Sequence, residues 1–127
     1  DRRSEGDECR QLGVLFHEQK DLDKAEEWYG KARDVFEEIQ DLNRICRTYG
    51  QLGMVAEERE DIPGALLWAG RTYQLAVSND LQVLTQVKAH LARLKEKHGE
   101  DNFTTWWREF ASEEPPIDLD VDPETVL

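Results

Sequence analysis

The chain has 127 residues, a formal net charge of −12 and 39 % apolar residues, enough to bury the core of one domain. It contains no run near the ~18 consecutive apolar residues of a membrane helix and opens with no signal peptide, so we expect a soluble, cytoplasmic protein without a membrane partner. Lys and Arg are interleaved with Asp and Glu instead of forming a basic face, so nucleic acid is not an expected partner.

Apolar residues recur with helical spacing over most of the chain and predict an all-α protein. In the first helix, Leu12 and Phe16 share one face, and Gly13 lies beside them. Glycine inside a helix costs about 1 kcal/mol relative to alanine, so Gly13 predicts a neighbouring helix that approaches too closely for a side chain. The six predicted helices cover about residues 4–19, 23–39, 42–59, 62–79, 81–98 and 102–111.

An internal repeat relates the first pair of helices to the second. An offset of 40 residues aligns Gln11-Leu12-Gly13 with Gln51-Leu52-Gly53, far beyond what unrelated sequence gives. We therefore expect Gly53 to mark a second close crossing, and the two aligned tryptophans to pack between repeats, with Trp68 between the second and third hairpins. The same offset also aligns Glu18 with Glu58, Asp21 with Asp61, Ala25 with Ala65, Trp28 with Trp68 and Gly30 with Gly70.

Capping residues predict where the later helices begin and end. We expect Asp41, Asp61 and Asp80 to begin helices, with a proline in the first turn after Asp61. Gly99 predicts the end of the fifth helix, and Asp101 the beginning of the sixth. The sixth helix contains two adjacent tryptophans, which point about 100° apart, so only one is expected to fill the core.

The leucine, glycine and aromatic residue of the first helix, followed by Ala25, Tyr29 and Ala32 in the second, resemble the tetratricopeptide-repeat pattern. The second repeat departs from that pattern at Ala69 and Thr72. The period of 40 is longer than the usual ~34, which implies longer helices. The resemblance implies a solenoid of about three helical hairpins that binds proteins or peptides. The predicted domains are a repeat domain over residues 1–111, with repeats at about 4–40, 42–80 and 81–111, and an acidic, proline-containing tail over residues 112–127.

A second resemblance implies that the chain is part of a longer protein. The run from Gln51 to Arg59 and the ending from Gly99 to Glu109 resemble repeats in large bacterial regulators of the STAND class of signal-transduction ATPases. That resemblance implies a sensor or assembly role, and the first residue, Asp1, leads us to expect a piece of a longer protein. Two functions stay open: a scaffold that binds a protein or peptide, and a receptor domain for a small ligand or signalling peptide that controls an attached effector.

Catalytic and metal-binding motifs are not found in the sequence. It has no HExxH, Walker loop, GxGxxG or GxSxG, so we expect neither enzymatic activity nor a cofactor. Cys9 and Cys46 have no CxxC spacing and are expected to be half-buried, reduced thiols.

The candidate binding site follows from the family resemblance. In tetratricopeptide solenoids the first helix of each hairpin lines a concave groove, where peptides bind. Four bases along that groove would suit an acidic or carboxylate-ended peptide, unless they only balance neighbouring acids. The groove residues implied by position are Arg10, Val14, His17, Arg47, Gln51, Met54, Gln86, His90, Arg93 and Lys97, of which the four bases are Arg10, Arg47, Arg93 and Lys97.

The tail carries a pattern of its own. Apolar and acidic residues alternate from Ile117 to Asp122, so an extended backbone would place the three apolar side chains on one side. We predict that this segment docks on its own chain or on a second copy, which would give a weak homo-oligomer. A linker or a disordered terminus is the alternative.

Overall fold

A computed structural model describes residues 1–111, which form six α-helices joined by short turns. Consecutive helices pack against each other, so the predicted all-α fold of helical hairpins is confirmed. The docking predicted for the tail falls on residues 112–127, which lie outside the described residues. The helices are α1 (Arg2–Glu18), α2 (Leu22–Ile39), α3 (Leu42–Glu58), α4 (Ile62–Asn79), α5 (Leu84–His98) and α6 (Glu100–Ala111).

The chain divides into two compact units. The first is Asp1–Trp68 and contains α1, α2, α3 and the first part of α4. The second begins at Ala69 and, within the described residues, contains the rest of α4 with α5 and α6. The predicted repeat domain over residues 1–111 and its three repeat boundaries stay a prediction.

Three turns of the first unit share one design, at intervals of 20 residues. A left-handed residue ends each helix: Lys20, Gln40 and Glu60 have φ of 63°, 55° and 60°. The next residue is an aspartate whose backbone N–H donates to a carbonyl in the last turn of the preceding helix. Its carboxylate accepts from the backbone N–H three residues later and so begins the next helix, which confirms the prediction for Asp41 and Asp61.

The turn between α4 and α5 departs from that design. Asp80 has a φ of 52° and takes the left-handed position, so Leu81 stands where the other turns have their capping aspartate. Leucine has no side-chain acceptor, and α5 begins only at Leu84, after Val83 and without a side-chain cap. The prediction that Asp80 begins a helix at residue 81 is therefore wrong.

The connection between α5 and α6 was predicted in part. Gly99 ends α5 with a φ of 92°, as expected. The sixth helix begins at Glu100, so Asp101 lies within its first turn and does not precede it, contrary to the prediction. Two carboxylates in that first turn are favourable there because the N-terminus of a helix carries partial positive charge.

Glycines set the distance between α1 and α2. A Cβ on Gly13 would lie 2.5 Å from the buried ring of Tyr29, which confirms the predicted close crossing. Gly6 meets the ring of Phe36 in the same way, a contact that the sequence analysis missed. A Cβ on Gly53 would lie 3.6 Å from the Cβ of Trp68, an ordinary contact, so the second close crossing was predicted wrongly.

Aromatic side chains contribute to the core of each unit. In the first, the half-buried ring of Trp68 lies 5.2 Å from that of Tyr49, and the guanidinium of Arg33 lies 5.6 Å from its centre. The contact with Arg33 confirms that Trp68 packs against the preceding repeat. Its expected place between the second and third hairpins stays a prediction, as does the packing of Trp28 between repeats. In the second unit Trp107 is fully buried and Trp106 only half-buried, so one of the two fills the core as expected.

Candidate functional site

Hydrogen-bonded pairs at both ends hold α1 and α3 side by side. Near the N-terminal ends, Arg44 of α3 donates from Nε and Nη2 to the two carboxylate oxygens of Asp7, at 2.9 and 3.2 Å. Near the C-terminal ends, Nε2 of His17 lies 2.8 Å from Oε2 of Glu58. Early residues of one helix therefore meet early residues of the other, so α1 and α3 run parallel.

Six of the predicted groove residues lie on these two parallel helices. Each helix carries three of them at positions i, i+4 and i+7, a spacing that forms one stripe along a helix. The side chain of Met54 is 55 % exposed and that of Arg47 is exposed, whereas the other four are half-buried. The α1 stripe consists of Arg10, Val14 and His17, and the α3 stripe consists of Arg47, Gln51 and Met54.

Two stripe residues bear a buried polar atom that has no hydrogen-bond partner among residues 1–111. They are the Nε donor of Arg10 and the Oε1 acceptor of Gln51. Buried polar atoms are normally paired, and an unpaired one costs about 1–3 kcal/mol. A peptide backbone carries one acceptor and one donor per residue, which are the groups complementary to this donor on α1 and this acceptor on α3.

His17 has a structural role that its spacing did not reveal. Its Nδ1 lies 3.2 Å from the hydroxyl of Tyr29, which is 1 % exposed. Burial raises the pKa of Tyr29, against the opposing charge of Arg10. The ionised carboxylate of Glu58 can only accept, so Nε2 of His17 carries a proton, and in that tautomer Nδ1 accepts from the Tyr29 hydroxyl. His17 then donates from Nε2 to Glu58 and ties α1 to both α2 and α3. A direct contact of His17 with a ligand stays a prediction.

Tyr29 is the residue of this site that the sequence analysis missed. In the sequence it was named only as part of the tetratricopeptide-repeat pattern of the second helix, whereas the structure places its ring over Gly13. A buried tyrosine hydroxyl usually finds a partner, and His17 is on the helix that the ring touches. A tyrosine packed against the helix that carries His17 was therefore the sequence signal that could have predicted this hydrogen bond.

The other four predicted groove residues lie on α5, in the second unit. They follow the same helical spacing and form a third stripe, in which Nη2 of Arg93 donates to Nδ1 of His90 at 2.6 Å. The side chains of Gln86, Arg93 and Lys97 are exposed. The role of this stripe in binding stays a prediction.

The described part of the chain shows no metal site and no membrane helix, and its two cysteines are free. Within residues 1–111, no group of three His, Cys, Asp or Glu side chains is placed to hold a metal ion. No helix in that range has the length and apolar character needed to cross a membrane. Cys9 and Cys46 are free thiols, as expected, and burial raises the pKa of Cys46.

Comparison with known proteins identifies the repeat. A family model described as tetratricopeptide repeat matches residues 9–76, more than half of the chain. The match begins within α1 and ends within α4, so it covers most of the two hairpins that the 40-residue offset relates. Searches of curated proteins and of solved structures return no match.

Proposed function

Because the chain belongs to the tetratricopeptide-repeat family, a family of protein-interaction scaffolds, we propose that it binds a segment of another protein along the stripes of α1 and α3. The observation that carries this proposal is the presence of an unpaired donor on Arg10 and an unpaired acceptor on Gln51, on two parallel helices. A bound peptide would pair both atoms with its backbone once the two side chains turn toward it. We propose separately that the stripe on α5, in the second unit, also binds a protein segment.

The charge of the stripes indicates the kind of partner. The six stripe residues of the first unit include Arg10 and Arg47 and no acid, in a chain whose net charge is −12. Basic side chains in an acidic protein favour a ligand with carboxylates, through charge-assisted hydrogen bonds. We therefore propose an acidic or carboxylate-ended peptide segment.

The proposal is tested by removing the unpaired acceptor without changing the shape of the side chain. Short random peptides are selected on the wild-type protein, and their affinities are measured by fluorescence anisotropy. Gln51→Met should weaken the selected acidic peptides about tenfold, because they lose the acceptor. The variant itself should unfold at the same or a higher urea concentration, since one fewer unpaired polar atom is then buried.

The repeat provides a matched control for this experiment. Gln11 is the counterpart of Gln51 one repeat earlier, and its side chain is exposed. Gln11→Met should leave affinity unchanged. Equal affinity of the selected peptides for wild type and Gln51→Met, or failure of the wild type to retain any acidic peptide, would contradict the proposed function.

The setting of the module is a further part of the proposal. We propose a non-catalytic sensor or assembly module of a larger bacterial signalling protein, supported by the resemblance of the runs 51–59 and 99–109 to repeats of STAND-type regulators. The two free thiols support a reducing, cytoplasmic location. Sequencing the whole gene tests this setting, because the proposal requires an NTPase or effector domain in the same reading frame.

A further inference from the structure

A cleft of about 490 Å³ lies in the first unit, and none of its lining residues belongs to the α1 or α3 stripe. Its apolar lining comes from three helices: Gly30 on α2, Leu52 on α3 and Trp68 on α4. Charged side chains of α2 form the rest of the wall. The volume lies within the range of sites that take a small ligand or a large side chain.

Gly30 has no packing reason within the described residues. Glycine in the middle of a helix is unfavourable unless something must approach the backbone closely. The nearest atom to a Cβ built on Gly30 is Nη2 of Arg33, at 3.8 Å, the end of a flexible side chain. Neither a neighbouring helix nor a positive φ requires glycine at this position.

The second repeat shows what this position accommodates. Gly70 is the counterpart of Gly30 at the 40-residue offset, and a Cβ on Gly70 would overlap the ring of Phe110 from α6. The space left by the missing side chain of Gly70, called here its notch, is therefore filled by an aromatic side chain of the same unit. The notch at Gly30 has the same residue and opens into the cleft.

The charged side chains at the rim of the cleft indicate which residues a ligand would carry next to an aromatic side chain placed on Gly30. Arg33 and Lys31 lie over tryptophan rings, and the side chain of Arg33 is only 30 % exposed. The acids point outward: the side chains of Asp23 and Asp34 are 88 % and 67 % exposed. Two further carboxylates of the rim, those of Glu26 and Glu27, are 59 % exposed each.

The rim is acidic even when its ion pairs are counted. Arg59 contacts Asp23 and Glu26, while Lys31 contacts Glu27 and Arg33 contacts Asp34. Four carboxylates against three bases leave one net negative charge. An incoming segment therefore meets carboxylates first.

We propose that this cleft binds a partner segment that places an aromatic side chain on Gly30 and holds Lys or Arg beside it, against the acidic rim. This site is separate from the proposed groove and prefers ligands of opposite charge. The aromatic ring would pack on Leu52 and Trp68 as Phe110 packs on Gly70, and the basic neighbour would pair with the outward carboxylates.

The experiment fills the notch at Gly30 with a side chain of the protein itself, through the substitution Gly30→Leu. Short random peptides are selected on the wild-type protein and sorted for those that lose affinity for Gly30→Leu. The sorted peptides should contain an aromatic residue next to Lys or Arg and bind Gly30→Leu about tenfold more weakly. Exchanging their basic residue for Glu should cost a similar factor. Arg47→Glu, in the other site, should leave them unaffected, so the two proposals fail independently.

Stability measurements keep the outcome interpretable. Gly30→Leu should melt at or above the wild-type temperature, and Gly70→Leu should melt below it because Phe110 occupies that notch. If Gly30→Leu does not melt cooperatively, the double variant Asp23→Lys and Asp34→Lys replaces it in the sort. The proposal is overturned if no peptide distinguishes the variant from wild type, or if those that do are acidic or lack an aromatic residue.

Discussion

Gly13 and Gly53 occupy the same position in two repeats but have different neighbours. A methyl group on Gly13 would meet the Tyr29 ring at 2.5 Å, whereas one on Gly53 would meet Trp68 Cβ at 3.6 Å. The counterpart of Tyr29 in the second repeat is Ala69, which has no ring. Identity at a repeat position therefore predicted the helix but not the crowding around it.

This difference predicts opposite effects of the same substitution. Gly13→Ala should lower the free energy of unfolding by about 1–3 kcal/mol, because the buried Tyr29 ring must move. Gly53→Ala should raise it by up to about 1 kcal/mol, since alanine favours the helix and the added methyl group makes an ordinary contact. Urea unfolding measures both. A loss for Gly53→Ala as large as that for Gly13→Ala would contradict this account.

The left-handed residues between helices carry a conformational cost that glycine would remove. Gln40 has a φ of 55°, which is unfavourable by about 1–2 kcal/mol for a residue with a Cβ. Gln40→Gly should therefore raise the free energy of unfolding by about 0.5–1 kcal/mol, after the greater freedom of glycine in the unfolded chain is subtracted. Gln40→Ala keeps the Cβ and is the control. Equal stability of the two variants would show that the backbone at this position is not strained.

At the level of helices, most boundaries were predicted to within one or two residues, because the aspartates that cap α2, α3 and α4 are visible in the sequence. The start of α5 was missed because Asp80 looks like those caps but lies one position earlier in the turn. Contacts such as Gly6 with Phe36 depend on how two helices cross, and no local pattern reports that.

Asp41 joins the cap of α3 to the ion pairs that hold α1. Its carboxylate accepts from the backbone N–H of Arg44 and, at 2.9 Å each, from the side chains of Arg3 and Arg44. Burial alone would raise the pKa of Asp41, but these hydrogen bonds together lower it below its ordinary value. The charged form is thus favoured by folding, and its contribution to stability is present above the unfolded pKa of about 3.9.

This linkage predicts how acid affects an Asp41 variant. Asp41→Ala should lower the free energy of unfolding by about 1 kcal/mol or more at pH 7, as the loss of a capping aspartate does. The difference in this free energy between wild type and variant should decrease as the pH falls through the folded pKa of Asp41, because the wild-type carboxylate is then protonated. Urea unfolding between pH 7 and strong acid measures it. Asp21→Ala removes a cap without arginine side chains and should lose less at pH 7. A gap that stays constant into strong acid would contradict the assignment.

At the scale of the molecule, the repeat predicted which residues form the stripes, since position in a helical hairpin determines which face a residue occupies. It did not reveal that the Nε of Arg10 and the Oε1 of Gln51 are left unpaired, nor that Tyr29 engages His17. Hydrogen-bond pairing depends on side chains from several helices, so a single-helix pattern does not contain it. The cleft at Gly30 was missed for the same reason, although the aligned Gly70 was visible.

The charge distribution predicts how the proposed groove responds to salt. The chain as a whole repels an acidic peptide, with a net charge of −12, so binding depends on the local bases of the stripes. Reversing Arg47 and Arg93 together to Glu should abolish binding of an acidic peptide selected on the wild type, while the far-ultraviolet circular dichroism stays unchanged. Added salt should weaken the wild-type complex, because exposed charges are screened over ~8 Å at physiological ionic strength.

Lys24→Glu makes the same change of charge on α2, outside the stripes, and should leave the affinity within about twofold, as expected for an exposed charge that does not touch the ligand. Binding that is insensitive to salt and survives both reversals would place the recognition in apolar contacts such as those of Val14 and Met54.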